Sequence, residues 1–123
     1  FLYSPDLLEA TMQSKQRLDL FFAGQITGIE GYAGNIASGL VAGINAANYI
    51  QEHQFHILPK DSMIGALCHY ITHAAAQDFQ PMKANFGILP PLDAGKRRNK
   101  RQRAAAYSAR AMDKLQKYIS TRQ

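Results

Sequence analysis

Residues 20–47, LFFAGQITGIEGYAGNIASGLVAGINAA, constrain the fold more than any other stretch of the chain. Leu20 to Ala23 form an apolar run too short for a helix, with Gly24 directly after it, which predicts a short buried strand. Glycines then stand at positions 24, 28, 31 and 34, so the backbone must turn sharply here or lie close against something. From about Ala33 to Glu52 the spacing is helical, and Ile36, Leu40, Ile44 and Ala47 mark one apolar face. Gly39, Gly43 and Ala46 give a small-residue side on which a strand or cofactor can lie. Glycine inside a helix costs about 1 kcal/mol relative to alanine, so two of them point to tight packing. A strand, a glycine turn and a helix in that order bring free backbone N–H groups and a partial positive charge to a place where an anion can sit. At the turn, the Gln25 amide can donate to and accept from sugar hydroxyls, and Tyr32 offers a flat ring for stacking. The spacing is not the GxGxxG of a first dinucleotide-binding turn, and a tight strand–helix corner without a ligand has the same pattern.

The flanking segments read as mostly helical. Ser4-Pro5-Asp6 opens a short helix over about Asp6 to Gln13, with Ser4 as N-cap and Pro5 in the first position. His53 to Lys60 is a connector. Asp61 or Ser62 then caps a helix to about Ala75, with Ile64, Leu67, Cys68 and Ile71 inward. Residues 76–95 carry Pro81, Pro90, Pro91, Gly87 and Gly95, and such a segment is irregular. A loop of that length in a compact domain is functional or packed as an ordered excursion. The last helix spans about Gly95 to Ser120, with Ala105, Met112, Leu115 and Ile119 as a narrow apolar stripe. The expected class is α/β, mostly helical with a few short strands. It divides into residues 1–52, 53–95 and a basic C-terminal helix over 96–123. The chain begins at Phe1 in strand-like sequence, and we read it as a piece of a larger protein. No apolar run approaches the ~18 residues of a membrane span, and no signal-peptide pattern opens the chain. The lone cysteine, Cys68, rules out an internal disulfide and fits a reducing, cytoplasmic compartment.

The net charge of +5 is unevenly placed: Lys96, Arg97, Arg98, Lys100, Arg101 and Arg103 fall within eight residues. Such a block suits a phosphate-bearing partner, nucleic acid or a membrane surface; a solvated helix face has the same composition. His69 and His73 are four apart on one predicted helix, as in some zinc sites, and His53 and His56 three apart. No HExxH is present and only Cys68 lies near, so no metal is expected. Cys68 reads as a small core residue. Phe79, Phe86 and Tyr107 can stack on bases near the basic block, although core packing is the plainer use of the two phenylalanines.

Residues 21–47 resemble the flavin-contact segment shared by two groups of FAD-dependent tRNA-modifying proteins, in the pattern AGQ…G…GY…ASGL.AGINAA. One is the folate- and FAD-dependent tRNA uracil-5 methyltransferase family. The other is the GidA/MnmG family, which modifies the wobble uridine. Residues 70–73, YITH, and 79–92, FQPMKANFGILPPL, are similar to the first family, so the resemblance covers nearly the whole chain. It implies the C-terminal part of an enzyme that completes a Rossmann-like FAD-binding domain. That enzyme transfers a methylene group from methylenetetrahydrofolate to C5 of uridine 54 in the tRNA T-loop. Reduced FAD finishes the methyl group, and NAD(P)H is the eventual reductant. The family's catalytic cysteines have no match here, and the fragment alone is expected to be inactive. Carried onto this sequence, Gly24 and Gln25 meet the ribityl and pyrophosphate side of FAD, while Gly31, Tyr32, Ala33 and Asn35 lie near the ring. Tyr32 and His73 are the folate-side candidates; a helix C-terminal cap is the other reading of His73. The six cations from Lys96 to Arg103 would meet tRNA phosphates. The remaining partners are the rest of the same polypeptide and a second copy paired through exposed strand edges. A wobble-uridine enzyme and a non-catalytic RNA-binding module are the alternatives. One departure stands out: the family's GY.ESAASG has glutamate where this chain has Gly34, which removes a carboxylate suited to a helix N-terminus. Glu30 matches the family but does not replace it by position.

Overall fold

The backbone at the glycine corner fixes where everything else can pack. The structure is a computed structural model that describes residues 1–75, 77–93 and 95–122. Ala76 and Ala94, both inside the segment expected to be irregular, and Gln123 lie outside the described residues. Gly24 and Gly31 have φ of +84° and +88°, values that strain any residue with a Cβ. Between them Gln25–Thr27 makes a single 3-10 turn, and after Gly31 the chain enters helix α2, Tyr32–Gln51.

The strand expected at Leu20–Ala23 is not formed. Phe21 makes an isolated antiparallel bridge to Gln13, Leu8 bridges Ser14, and Ile29 makes a parallel bridge to Met82; no longer strand occurs among the described residues. Pairing of residues 20–22 stops after two backbone bonds, Ser14 N–H to Leu20 O (2.8 Å) and Phe22 N–H to Met12 O (3.0 Å). The strand edges through which copies were expected to pair are thus reduced to single bridges. The first helix, α1, is also shorter than expected, at Ser4–Leu7, and Tyr3 rather than Ser4 is its N-cap. The Ser4 hydroxyl is fully buried and donates to Thr27 O (2.6 Å), which ties the N-terminus to the glycine corner. The chain then reverses at Met12, which is buried with φ +70°.

Helix α2 presents the opposite face to the one expected. Gly34, Ser38, Val41, Ala42 and Asn45 point inward. Ile36, Leu40, Ile44 and Ala47 point outward, with Ile36 75% and Leu40 60% exposed. The inward face wins because both of its polar side chains are satisfied. Asn45 Nδ2 donates to Thr11 O (3.1 Å) and His56 O (2.9 Å), and its Oδ1 accepts from His56 N–H (2.7 Å). One buried amide thus fastens α2 to two separate loops. The small-residue side is open as well: a Cβ on Gly39 or Gly43 would meet nothing within 4 Å.

Helix α3, Met63–His73, starts at an N-cap offered by Ser62, whose hydroxyl accepts from Gly65 N–H (3.1 Å). Its Leu67, Cys68 and Ile71 close over Met12, Ile29, Val41 and Ala42 to make the core, and Ile64 packs against that cluster from its edge. Phe79 also packs inward, meeting Phe1 and Tyr3 edge-on at 5.8 and 5.6 Å between ring centroids.

Helix α4, Lys100–Thr121, begins five residues later than expected, because Asn99 and Gln102 form a reciprocal capping box (2.8 and 3.0 Å). Its expected stripe does not seal a core. Ala105 is exposed, Met112 and Ile119 are 55% and 54% exposed, and only Leu115 is partly covered. An arginine holds the helix instead. Arg110 donates to the carbonyls of Pro90 (2.6 Å) and Pro91 (3.0 Å), pairs with Asp61 (3.2 Å) and lies over the Tyr107 ring (5.4 Å). Arg110→Ala is expected to cost about 1.5–3 kcal/mol, the range for hydrogen bonds to a charged group. It should also speed protease cleavage between residues 92 and 99. Arg110→Lys should recover little, since an ammonium cannot fork onto two carbonyls. Unchanged cleavage in Arg110→Ala would remove this role.

Candidate functional site

Ser38 builds the glycine corner from behind, and the sequence reading did not single it out. Its hydroxyl accepts from Gly24 N–H (2.8 Å) and donates to Asn35 O (2.8 Å), while Thr27 Oγ1 donates to Gly24 O (2.7 Å). The corner is therefore pinned to the first turn of α2 on its inner side and open on its outer side. Tyr32 is 92% exposed, Ala33 and Gln25 are exposed, and a Cβ on Gly24 or Gly31 would meet nothing within 4 Å. No side chain caps the N-terminus of α2, and no acidic residue lies in its first turn. Its leading N–H groups are left for a ligand or water. Asn35 Oδ1 is buried without a hydrogen-bond partner. An orphaned buried acceptor costs about 1–3 kcal/mol, which a donor on a bound molecule would recover. Open glycines, an uncapped 20-residue helix and an acceptor awaiting a donor fit a nucleotide cofactor whose phosphates are anionic and whose ring carries N–H groups.

Gly34 is explained by packing. A Cβ there would approach Ile29 Cγ2 to 2.9 Å and Leu67 Cδ1 to 3.4 Å, so a glutamate has no room while Ile29 keeps its place. The 79–92 block reaches the same corner. Met82 N–H donates to Gly28 O (2.8 Å) and Glu30 N–H to Met82 O (2.9 Å). Gln25, Glu30 and Pro81 share a hollow of about 440 Å³ with Phe1 and Ile26.

His73 lines a different hollow, of about 400 Å³, with His69, Lys60 and Cys68. Its ring stacks on His69 at 4.1 Å, and its Nδ1 lies 3.1 Å from His69 O, in the position of a cap at the end of α3. Burial, then the neighbouring His73 and Lys60, hold the His69 imidazole below its ordinary range, so its neutral form is favoured. Burial pushes the Cys68 thiol up to about 11, which leaves it protonated and inert at neutral pH, as a core residue should be. Among the described residues no three metal-binding side chains come together.

The cationic block is split by the helix boundary. Lys100, Arg101 and Arg103 occupy the first turn of α4, whereas Lys96, Arg97 and Arg98 lie on the approach to it. None of the six takes part in an ion pair among the described residues. Cations at a helix N-terminus oppose its dipole, by about 0.3–1 kcal/mol each. Local rules broken this way mark a place where something other than stability is served.

Among the described residues no helix is long and apolar enough to cross a membrane. Residues 1–54 match a family model described as glucose inhibited division protein A. Over nearly its whole length the chain is similar to proteins named methylenetetrahydrofolate–tRNA-(uracil-5-)-methyltransferase TrmFO. It is 52% identical over 118 residues to the one from Ligilactobacillus salivarius (96% of this chain). It is 50% identical over 119 residues to that of Shouchella clausii (97%), and 52% over 117 residues to that of Listeria welshimeri (95%). The chain spans 27% of the length of each of these relatives. The resemblance read from residues 21–47, 70–73 and 79–92 is thus borne out, and the relatives carry it past residue 54, where the family model ends.

Proposed function

We propose that this chain is the C-terminal part of a cytoplasmic, methylenetetrahydrofolate- and FAD-dependent tRNA uracil-5 methyltransferase that makes 5-methyluridine in the T-loop. The observation that carries the reading is identity near 50% to relatives named for that activity, across 95–97% of this chain. The wobble-uridine alternative gains nothing from the match at residues 1–54, since the similarity to the methyltransferases runs over 95–97% of this chain, well past residue 54.

In this reading the chain completes a Rossmann-like FAD-binding domain supplied mainly by the rest of the polypeptide. The outward face of α2, with Ile36, Leu40 and Ile50 exposed, is where that remainder packs. Gly24 and Gln25 hold the ribityl and phosphate side of FAD. Gly31 and Ala33 let the ring come close to the backbone, with Asn35 one turn into the helix beside them. Bound there, FAD would supply the redox chemistry that turns a transferred methylene into a methyl group, with NAD(P)H as the reductant. Tyr32 presents its exposed ring to folate, His73 is a second folate-side candidate, and the Lys96–Arg103 cations hold tRNA phosphates.

The test uses the full-length protein. Gly31→Val should lose most of its bound flavin, because a β-branched residue cannot hold φ near +88°. Gln25→Ala and Tyr32→Ala should weaken FAD and folate binding about tenfold, the loss of roughly one good contact. Wild-type flavin content and folate affinity in all three variants would end this assignment.

A further inference from the structure

The basic stretch ends against an aromatic pair that the proposed flavin and folate site does not use. Lys100, Arg103 and Tyr107 follow one another at helical spacings of three and four, so they share one face of α4. Phe86, from the 3-10 turn Phe86–Ile88, stacks on Tyr107 with ring centroids 4.7 Å apart and planes inclined by 28°. The turn is held rigidly: Asn85 Oδ1 accepts from Gly87 N–H (2.8 Å), and Arg110 clamps the carbonyls of Pro90 and Pro91 just beyond it. Tyr107 already carries Phe86 and the Arg110 guanidinium against its ring, whereas Phe86 keeps 42% of its surface open. Beside the pair lies a hollow of about 280 Å³, walled by Met63, Leu89, Ala104 and Ala111, with Ser108 and Asp61 as its polar members.

A flat aromatic face, a small apolar hollow that the Ser108 hydroxyl also lines, and the six cations of residues 96–103, none in an ion pair among the described residues, suit one class of ligand. An unpaired nucleotide offers the π-face of its base to the ring and the base's polar edge to the Ser108 hydroxyl, and the phosphates of its strand meet the cations. We infer that the Phe86–Tyr107 pair and the adjoining hollow receive an unstacked nucleobase of the bound RNA, away from the base being modified. This site rests on the RNA-binding reading above. It adds a base contact to what would otherwise be a phosphate grip without sequence or shape preference.

The full-length protein is titrated with tRNA transcripts in which unpaired purines are replaced, one at a time, by 2-aminopurine. One position should be quenched on binding. Phe86→Leu keeps an apolar side chain on Tyr107 but removes the π-face. It should abolish that quench and weaken RNA binding about tenfold, within the range for one stacked base. It should leave flavin content and the salt dependence of binding unchanged. A quench retained in Phe86→Leu, or none at any position in the wild type, overturns the base site while the phosphate reading stands. No RNA binding by the wild type at any salt would remove both.

Discussion

Gly65→Ala is expected to destabilise the protein by about 3 kcal/mol or more, although alanine is the better helix former. Gly65 lies in the first turn of α3, where its N–H meets the Ser62 hydroxyl. At this point the helix rides directly over the preceding connector. A Cβ on Gly65 would collide with Pro59 O, and would lie 2.7 Å from Pro59 C and 2.8 Å from Leu58 O. Those atoms are backbone, so the clash is not relieved by a rotamer change. Either the connector moves or the helix start does. The connector is itself fixed, because His56 is bonded through both backbone groups to the buried Asn45 amide. The gain of about 1 kcal/mol from helix propensity is outweighed by overpacking against atoms that cannot yield. Chemical denaturation of the full-length protein should show a lower midpoint at an unchanged slope. Ser62→Ala, which removes the cap without a collision, should cost about 1 kcal/mol. If Gly65→Ala costs no more than Ser62→Ala, the close approach of α3 to residues 58–59 is wrong.

The sequence revealed elements better than it revealed faces. The start of α3 at Ser62 was readable because a hydroxyl before an apolar run has one strong use there. The irregular middle segment was readable from its prolines. Which face of α2 packs within this chain is not legible from spacing, because nearly every face of that helix is apolar or small, and hydrophobic spacing cannot choose between such faces. The choice fell to Ser38 and Asn45, polar residues whose partners, Gly24 N–H, Thr11 O and His56, are distant in sequence. Long-range hydrogen bonds leave no periodic trace. The strand at Leu20–Ala23 failed for a related reason: a run of apolar residues becomes a strand only beside a partner strand, and residues 12–14 supply single bridges. The corner itself was legible, since glycine at positions 24 and 31 is what positive φ demands. Its fastening by Ser38 and the approach of Met82 were not, being features of packing between distant segments.

Replacing Lys96, Arg97, Arg98, Lys100, Arg101 and Arg103 together by glutamine should produce opposite changes in stability and in RNA affinity. Glutamine is nearly as good a helix former as lysine and arginine, so α4 keeps its propensity. The Asn99–Gln102 capping box is untouched, and three cations no longer oppose the dipole at the helix start. Stability should therefore hold or rise, by up to about 1–3 kcal/mol for three cations at about 0.3–1 kcal/mol each. Binding of tRNA should fall. Each phosphate contact releases condensed counterions and contributes about 0.7–0.9 to the slope of log affinity against log salt. Six lost contacts reduce that slope by about 4 to 5, so the advantage of the wild type over the variant should shrink on the order of a thousandfold between about 50 and 200 mM salt. A solvated surface helix predicts the same small gain in stability but no change in slope. The slope, measured for wild type and variant across the same salt range, separates the two. An unchanged slope would leave the cations at the start of α4 without a phosphate role. A reduced slope with intact stability would account for their position, because the helix start then trades local electrostatic comfort for a grip on RNA phosphates.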